Sequence, residues 1–196
     1  EMCIRDRILE SKLTMINLEL QENLQREVVV RLTHRIKSAE SIFLKLRRKG
    51  YTINLDNAKK KLNDIVGVRV TCIFRDDIYA LVDCLKIQHD IKILKIKDYI
   101  KTPNYNGYRS LHLDVRVPVY LSNRTEHVVA EIQIRTIAMD FWASLEHDIH
   151  YKADRAKLPA GIDEEMFACA EKIAEIDRQM QEMYRRIKSA QGNMDC

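Results

Sequence analysis

The five cysteines of this chain, Cys3, Cys72, Cys84, Cys169 and Cys196, form no CxxC pair and leave one over after any pairing. That argues against a disulfide framework and a cysteine-based zinc site, and it suits a reducing cytosol. No apolar run approaches the roughly 18 residues that span a bilayer. The charged, apolar and small-residue zones of a signal peptide are also missing, so no membrane partner is expected. There is no GxxxxGK[ST] loop, no GxSxG elbow and no GxGxxG turn, which removes the common nucleotide and hydrolase signatures. Internal repeats, low-complexity segments and linkers are absent too. The chain starts at Glu1, and MCIRDR carries no periodicity. This predicts a fragment or non-native residues at that end, so residues 1–7 receive no functional weight.

What is present suits one domain. A chain of 196 residues with 46% apolar content can bury roughly 70% of its unfolded surface. The net charge of +4 hides an asymmetry: residues 31–61 hold ten Lys or Arg against Glu40 and Asp56, a net +8 that leaves −4 elsewhere. A polyanion or phosphate is the natural counterpart, and a solvated helix face with a basic loop is the bland alternative.

Apolar spacing predicts a first helix from Ile8 to about Leu32 through Leu13, Ile16, Leu20 and Leu24. A second should start at Ser38, with Ile42, Leu44 and Leu46 inside and Gly50 stopping it. Residues 51–63 read as a loop or short helix. The β-branched run IVGVRVTCIF from Ile65 predicts a strand buried on both faces, followed by a helix from Asp76 to about Gln88 and a short strand over Ile91–Ile96. YRSLHLDVRVPVYL then alternates, with Leu111, Leu113, Val115 and Val117 on one face and Ser110, His112, Asp114 and Arg116 on the other. Pro118 predicts that this strand ends or lies unpaired there. In HVVAEIQIRT, Glu131, Gln133 and Arg135 share the face opposite Ala130, Ile132 and Ile134. Helices over Ile137–Lys152 and Asp163–Ser189 follow, the latter with Met166, Ile173, Met180 and Ile187 at seven-residue spacing, a stripe that suits the body or another subunit.

Several of these residues carry chemistry. Asp64 precedes a strand and Glu131 sits within one; if the strands are neighbours, two hard oxygen ligands converge as Mg²⁺ requires. Asp64 alone could be a turn residue, whereas an acid between Ala130 and Ile132 needs a partner. Arg35, Lys37, Lys45 and Arg48 are spaced to meet near one helix end, where guanidinium forks can hold phosphates or stack on a base; solvated surface is the alternative for each. Asn106-Gly107 is a turn pair presenting Tyr108, either as a core plug or as a stacking platform. The remaining tyrosines and Trp142 read as structural. The pairs His89-Asp90 and His147-Asp148 fall in a β-rich context that does not suit a helical His-Asp hydrolase.

RIKSAES (35–41), LKLRRKG (44–50), NDIVGVRV (63–70), KDYIKTPNYNGYRSLH (97–112), EIQIRTIAMDFWASLEH (131–147) and Tyr151-Lys152 together resemble the small alarmone synthetases of the RelA/SpoT superfamily, in particular the RelQ type. The resemblance implies an α/β (α+β) fold: a mixed sheet of about five strands flanked by helices, nucleotidyltransferase-like, with a long C-terminal helix. It implies an N-terminal helix over 1–32, a synthetase domain over 33–155 and a C-terminal helix over 156–196 that serves oligomerisation. The implied reaction moves pyrophosphate from ATP to the 3′-hydroxyl of GDP or GTP, in the cytoplasm. Arg35, Lys37, Lys45, Arg48 and Arg69 would contact ATP, and Asp64 and Glu131 would hold Mg²⁺, with Glu131 also taking the 3′-hydroxyl proton. Tyr108 would stack on guanine, helped by Asn106, Lys97, His112 and Gln133. A homotetramer whose central cleft binds the product as activator is implied as well. Asn104 stands where many relatives carry Lys, which predicts weaker binding of the acceptor phosphates; Arg31 and His34 stand where RelQ types carry an aromatic and a glycine, which predicts weak activation. Competing expectations are a relative that pyrophosphorylates tRNA 3′ ends and a catalytically silent module binding single-stranded RNA.

Overall fold

The computed structural model describes residues 2–54, 57, 58, 61, 62, 66–152 and 159–192. Asp64, one of the two expected metal ligands, lies outside the described residues, as does the side chain of Arg35. Helix α1 spans Met2–Leu24. Its Leu9, Leu13, Ile16 and Leu20, spaced at three and four residues, are all buried against the sheet. The helix ends eight residues earlier than its spacing predicts, with Gln25 in the left-handed region at φ 52° and its side-chain amide returning to the Glu22 carbonyl.

Beyond that turn the chain forms strand β1, Val29–Ile36, where the sequence suggested helix. The run Val28-Val29-Val30 is β-branched and resists helix, but it directly follows a helical period, and only the partner strand decides between them. β1 pairs antiparallel with β2 (Val66–Cys72), and β2 runs parallel to β5 (Thr125–Thr136). β5 pairs antiparallel with β4 (Leu111–Tyr120), which pairs antiparallel with the edge strand β3 (Lys92–Asp98). The order β1-β2-β5-β4-β3 makes a mixed five-stranded sheet.

Helix α2 (Ala39–Arg48) begins at Ser38, whose Oγ accepts from Ser41 N at 3.2 Å. It closes with a Schellman turn: Tyr51 N donates to Leu46 O and Gly50 N to Arg47 O, both at 3.0 Å, with Gly50 at φ 72°. Leu46 is fully buried and Ile42 packs beside it, but Leu44 is 59% exposed rather than inside. Two residues of helix rotate a side chain about 200°, so Leu44 cannot share a face with both neighbours. Helices α3 (Arg75–Ile87), α4 (Ile137–Lys152) and α5 (Ile162–Gly192) complete the described elements.

One face of the sheet, carrying Val68, Val70, Leu111, Leu113, Val115, Ile132 and Ile134, forms a single core with α1 and with Ile78, Leu81 and Leu85 of α3. β2 alternates rather than burying apolar residues on both faces, because Gly67, Arg69 and Thr71 turn to the other side. Pro118 does not end β4: it pairs with His127 of β5, while the β3 register stops at Arg116. A proline without an N–H is tolerated where one side of the strand has no neighbour.

The stripe on α5 does not stay on one surface. Met166 and Ile173 pack against Trp142, Ala143 and Ala170, whereas Met180 and Ile187 are 52% and 57% exposed. A straight helix turns about 20° per seven residues, so the stripe rotates off the body. The inward positions are Asp177, Gln181 and Tyr184. Thr136 Oγ1 donates to Asp177 Oδ2 at 3.1 Å, Asp76 N to Gln181 Oε1 at 3.0 Å, and Tyr184 stacks on Phe74 with Arg26 against both rings. Arg26 also makes a two-pronged pair with the buried Asp77, at 2.5 and 3.0 Å. Burial raises the Asp177 carboxyl above its ordinary range, opposed by the Thr136 hydrogen bond.

Candidate active site

The face of the sheet opposite the core is polar, and the strand registers order its side chains in rows. Arg35, Gly67, Glu131, Asp114 and Lys95 are successive partners across β1, β2, β5, β4 and β3. The adjacent row is Thr33, Arg69, Gln133, His112 and Lys97, and the next holds Arg31, Thr71 and Arg135. Cations therefore flank carboxylates on a common surface, and Gly67 sets no side chain beside Glu131. Residues scattered over a hundred positions of sequence meet here because alternation on every strand keeps the same face polar.

Glu131 is the centre of a hydrogen-bond chain. Its Oε1 lies 3.1 Å from His112 Nδ1, and its Oε2 accepts from Gln133 Nε2 at 2.8 Å. A carboxylate only accepts, so His112 Nδ1 carries the proton. His112 Nε2 is 2.9 Å from the Tyr108 hydroxyl, which in turn accepts from Arg135 at 2.7 Å. The Arg135 guanidinium also lies over the Tyr108 ring, 5.1 Å from its centroid, and donates to Asp140 at 3.2 Å. Asp140 stands 3.8 Å from Arg31 as well. His112 and Gln133 thus hold the Glu131 carboxylate, and Arg135 holds the tyrosine.

The loop before β4 is built to present that tyrosine. Asp98 at the end of β3 accepts from Ile100 N and Lys101 N, both at 3.0 Å, and from the Tyr79 hydroxyl at 3.1 Å. Burial, with the Asp98 charge beside it, pushes the Tyr79 phenol up to about 12, so it remains a donor. Asn106 Oδ1 accepts from Tyr108 N at 3.2 Å while its amide reaches Glu146 Oε1 at 3.2 Å. Asn106 therefore braces the loop itself. Gly107 takes φ 84°, a conformation few side chains tolerate.

Beside these groups lies a cleft of about 550 Å³ lined by Thr33, Arg69, Tyr108, Arg135, Glu146 and His147 among others. Of the expected ligands, Glu131, Gln133, His112, Tyr108 and Arg69 come together on this face. Lys97 joins them through its pairing with His112, from the edge strand. Lys37 follows the end of β1, and Lys45 and Arg48 lie on α2, the next element in the chain. Arg135 and Asp140 were not singled out from sequence. Arg135 shares the alternating face of Glu131, which was visible, but its grip on Tyr108 depends on the β4–β5 pairing. Asp114 is likewise a cross-strand partner of Glu131 and 7% exposed.

Among the described residues, no group of three or more His, Cys, Asp or Glu is arranged to hold a metal. Glu131 is the described member of the expected two-carboxylate set, whose other member, Asp64, lies outside the described residues. Such a set fits Mg²⁺, which usually takes one or two carboxylates and completes its shell with water and substrate phosphates. No described helix is long and apolar enough to cross a membrane.

Comparison with known proteins points to one family. The profile described as the region found in RelA / SpoT proteins matches residues 34–156. The GTP pyrophosphokinase YwaC of Bacillus subtilis (strain 168) is 47% identical over 172 residues, covering 88% of this chain and 81% of that protein. The crystal structure of the small alarmone synthetase 2 from Bacillus subtilis superposes with a TM-score of 0.83 at 43% identity, covering 94% of this chain and 95% of the other. That of the small alarmone synthetase 1 from Bacillus subtilis bound to its product pppGpp gives 0.80 at 33% identity, covering 93% and 92%.

Proposed function

We infer, from the premise that this chain belongs to the RelA/SpoT family, that it is a GTP pyrophosphokinase: it transfers the pyrophosphoryl group of ATP to the 3′-hydroxyl of GDP or GTP and releases AMP. The observation that carries this reading is the Glu131 carboxylate, held by His112 and Gln133 on a sheet face whose neighbouring positions are cationic. In the reaction the acceptor 3′-oxygen bonds to the β-phosphorus of ATP, the bond from that phosphorus to the oxygen bridging it to the α-phosphate breaks, and Glu131 takes the hydroxyl proton. Transfers of this type depend on positioning and on neutralising charge. Arg69 with Arg35, Lys37, Lys45 and Arg48 supplies the cations for ATP. Tyr108 offers a ring to guanine, with Lys97 and His112 on the acceptor side. Glu131 and Asp64 would hold Mg²⁺, which when bound adds charge neutralisation at the phosphates.

The test offers GDP, GTP and tRNA together with labelled ATP. Label is expected in a guanosine tetra- or pentaphosphate with stoichiometric AMP. Label in tRNA would replace this reading with the tRNA-modifying one, and no transfer would point to a silent RNA-binding module.

Assembly is a second expectation. Ile176, Met180, Met183 and Ile187 lie at helical spacing along the outside of α5 and are all exposed, an apolar surface that suits a second copy. A dimer or tetramer is expected by light scattering at micromolar concentration, and a monomer would remove the claim. Arg31 is engaged with Asp140 and His34 with Glu10 at 3.1 Å. Initial rates across a pppGpp series should therefore respond weakly.

A further inference from the structure

Helix α5 does more than offer an outer surface, because its inner face backs the loop that carries Tyr108. A Cβ at Gly107 would stand 2.4 Å from the Ala170 Cβ and 3.5 Å from Phe167 Cδ2. The loop backbone therefore sits directly on the helix. The next residue but one, Arg109, donates to Glu171 Oε1 at 2.8 Å and to the Gly107 carbonyl at 3.1 Å, joining loop and helix through one guanidinium. Between them Tyr108 packs against the cluster of Trp142, Ala143 and Ala170, with Met166 and Ile173 beside it. Trp142 is itself fixed by donating to the Met166 carbonyl at 3.3 Å. Residues 107, 108 and 109 are thus each seated on α5 or on a side chain tied to it, while Arg135 and His112 hold the far end of the Tyr108 ring.

We propose that Ala170 and Glu171 are positioning residues for the acceptor nucleotide: they fix the height and tilt of the Tyr108 loop, and so set affinity for the guanine nucleotide without touching ATP. The proposal rests on the reading that Tyr108 stacks on the acceptor base. The Gly107 backbone leaves no room for a Cβ beside the Ala170 methyl, so a branched side chain at position 170 meets the loop while it stays in place. Leucine, larger by three carbons, is expected to lift Gly107, and with it the ring one residue on. Displacement of a binding group by about 1 Å can cost on the order of a hundredfold. Glu171 acts from the rim, where its charge-assisted bond keeps Arg109 across the loop.

Steady-state kinetics on Ala170→Leu and Glu171→Ala test this, with each KM measured at saturating co-substrate and folding checked by Tm. Ala170→Leu is expected to raise the KM for GDP about tenfold or more, and Glu171→Ala about threefold, each leaving the KM for ATP within about twofold. Ala170→Ser, nearly the same size, should behave as the parent. Should Ala170→Leu fail to fold, Glu171→Ala decides alone, since half of that side chain is in solvent. Folded variants that leave the GDP KM unchanged, or raise both KM values alike, overturn the proposal. Tyr108→Ala is measured in parallel. If it raises the GDP KM and the α5 variants do not, the positioning role alone falls; if it does not, the acceptor-site reading falls and takes the proposal with it.

Discussion

Glu131→Gln is expected to lower kcat by about two to four orders of magnitude while the protein stays folded. The substitution keeps the shape and removes the charge, so the group can no longer take a proton or hold a cation. The surrounding hydrogen bonds can adapt. Gln133 Nε2, 2.8 Å from one carboxylate oxygen, can turn its own amide to meet the new NH₂ group, and His112 can keep donating to the remaining carbonyl oxygen. Loss of activity would then be a loss of chemistry. Turnover by the labelled-ATP assay, with near-ultraviolet circular dichroism as the check on folding, measures it. Activity above about a tenth of the parent at saturating Mg²⁺ would remove Glu131 from the reaction, since loss of a general base alone costs about a hundredfold or more.

Tyr108→Ala should separate the two substrates. Base stacking on an aromatic ring is worth roughly 1 to 3 kcal/mol, which corresponds to a rise of about five- to 150-fold in the KM for GDP or GTP, with the KM for ATP nearly unchanged. The ring is held by the Arg135 bond to its hydroxyl at 2.7 Å and by the His112 contact at 2.9 Å. Tyr108→Phe removes both links and keeps the stacking face. It is expected to cost about tenfold, near the low end of the roughly 1.5 to 3 kcal/mol of a hydrogen bond to a charged group, because the ring stays packed on the Trp142 cluster. Initial rates over a grid of both nucleotides distinguish these outcomes. Equal effects of Tyr108→Ala on the two KM values would make the tyrosine a structural plug.

Elements with strong local signals are legible in the residues alone. The alternation over Leu111–Val117 and Ala130–Arg135 defined two strands and told their core faces from their polar ones. The Ser38 cap and Gly50 stop bounded α2, and Asn106-Gly107 marked the turn before Tyr108. Each of these is written in a few consecutive residues, through side-chain period or backbone preference. Glu131, Gln133 and His112 could be placed on the polar face for the same reason, since a polar residue on a strand's alternating face announces its side, and the turn pair before it marked Tyr108; their roles were implied by the resemblance.

The remaining features depend on contacts between residues distant in the chain. The apolar spacing carried the helix reading through about Leu32, and only the antiparallel register with β2 shows that Val29–Ile36 is strand β1. The seven-residue stripe of the C-terminal helix suits the body or another copy by spacing alone, and only the packing of α5 covers Met166 and Ile173 while leaving Met180 and Ile187 exposed. The rows that bring Arg69 beside Gln133, and Asp114 beside Glu131, exist because β2 runs parallel to β5 while β4 runs antiparallel to it. The seat of the tyrosine loop is of the same kind. Arg109 and Glu171 are 62 residues apart, and no local pattern at either predicts the other. Periodicity fixes which side of an element a residue faces; what it meets there is set by chain-distant packing, and the positioning of this site depends on the second.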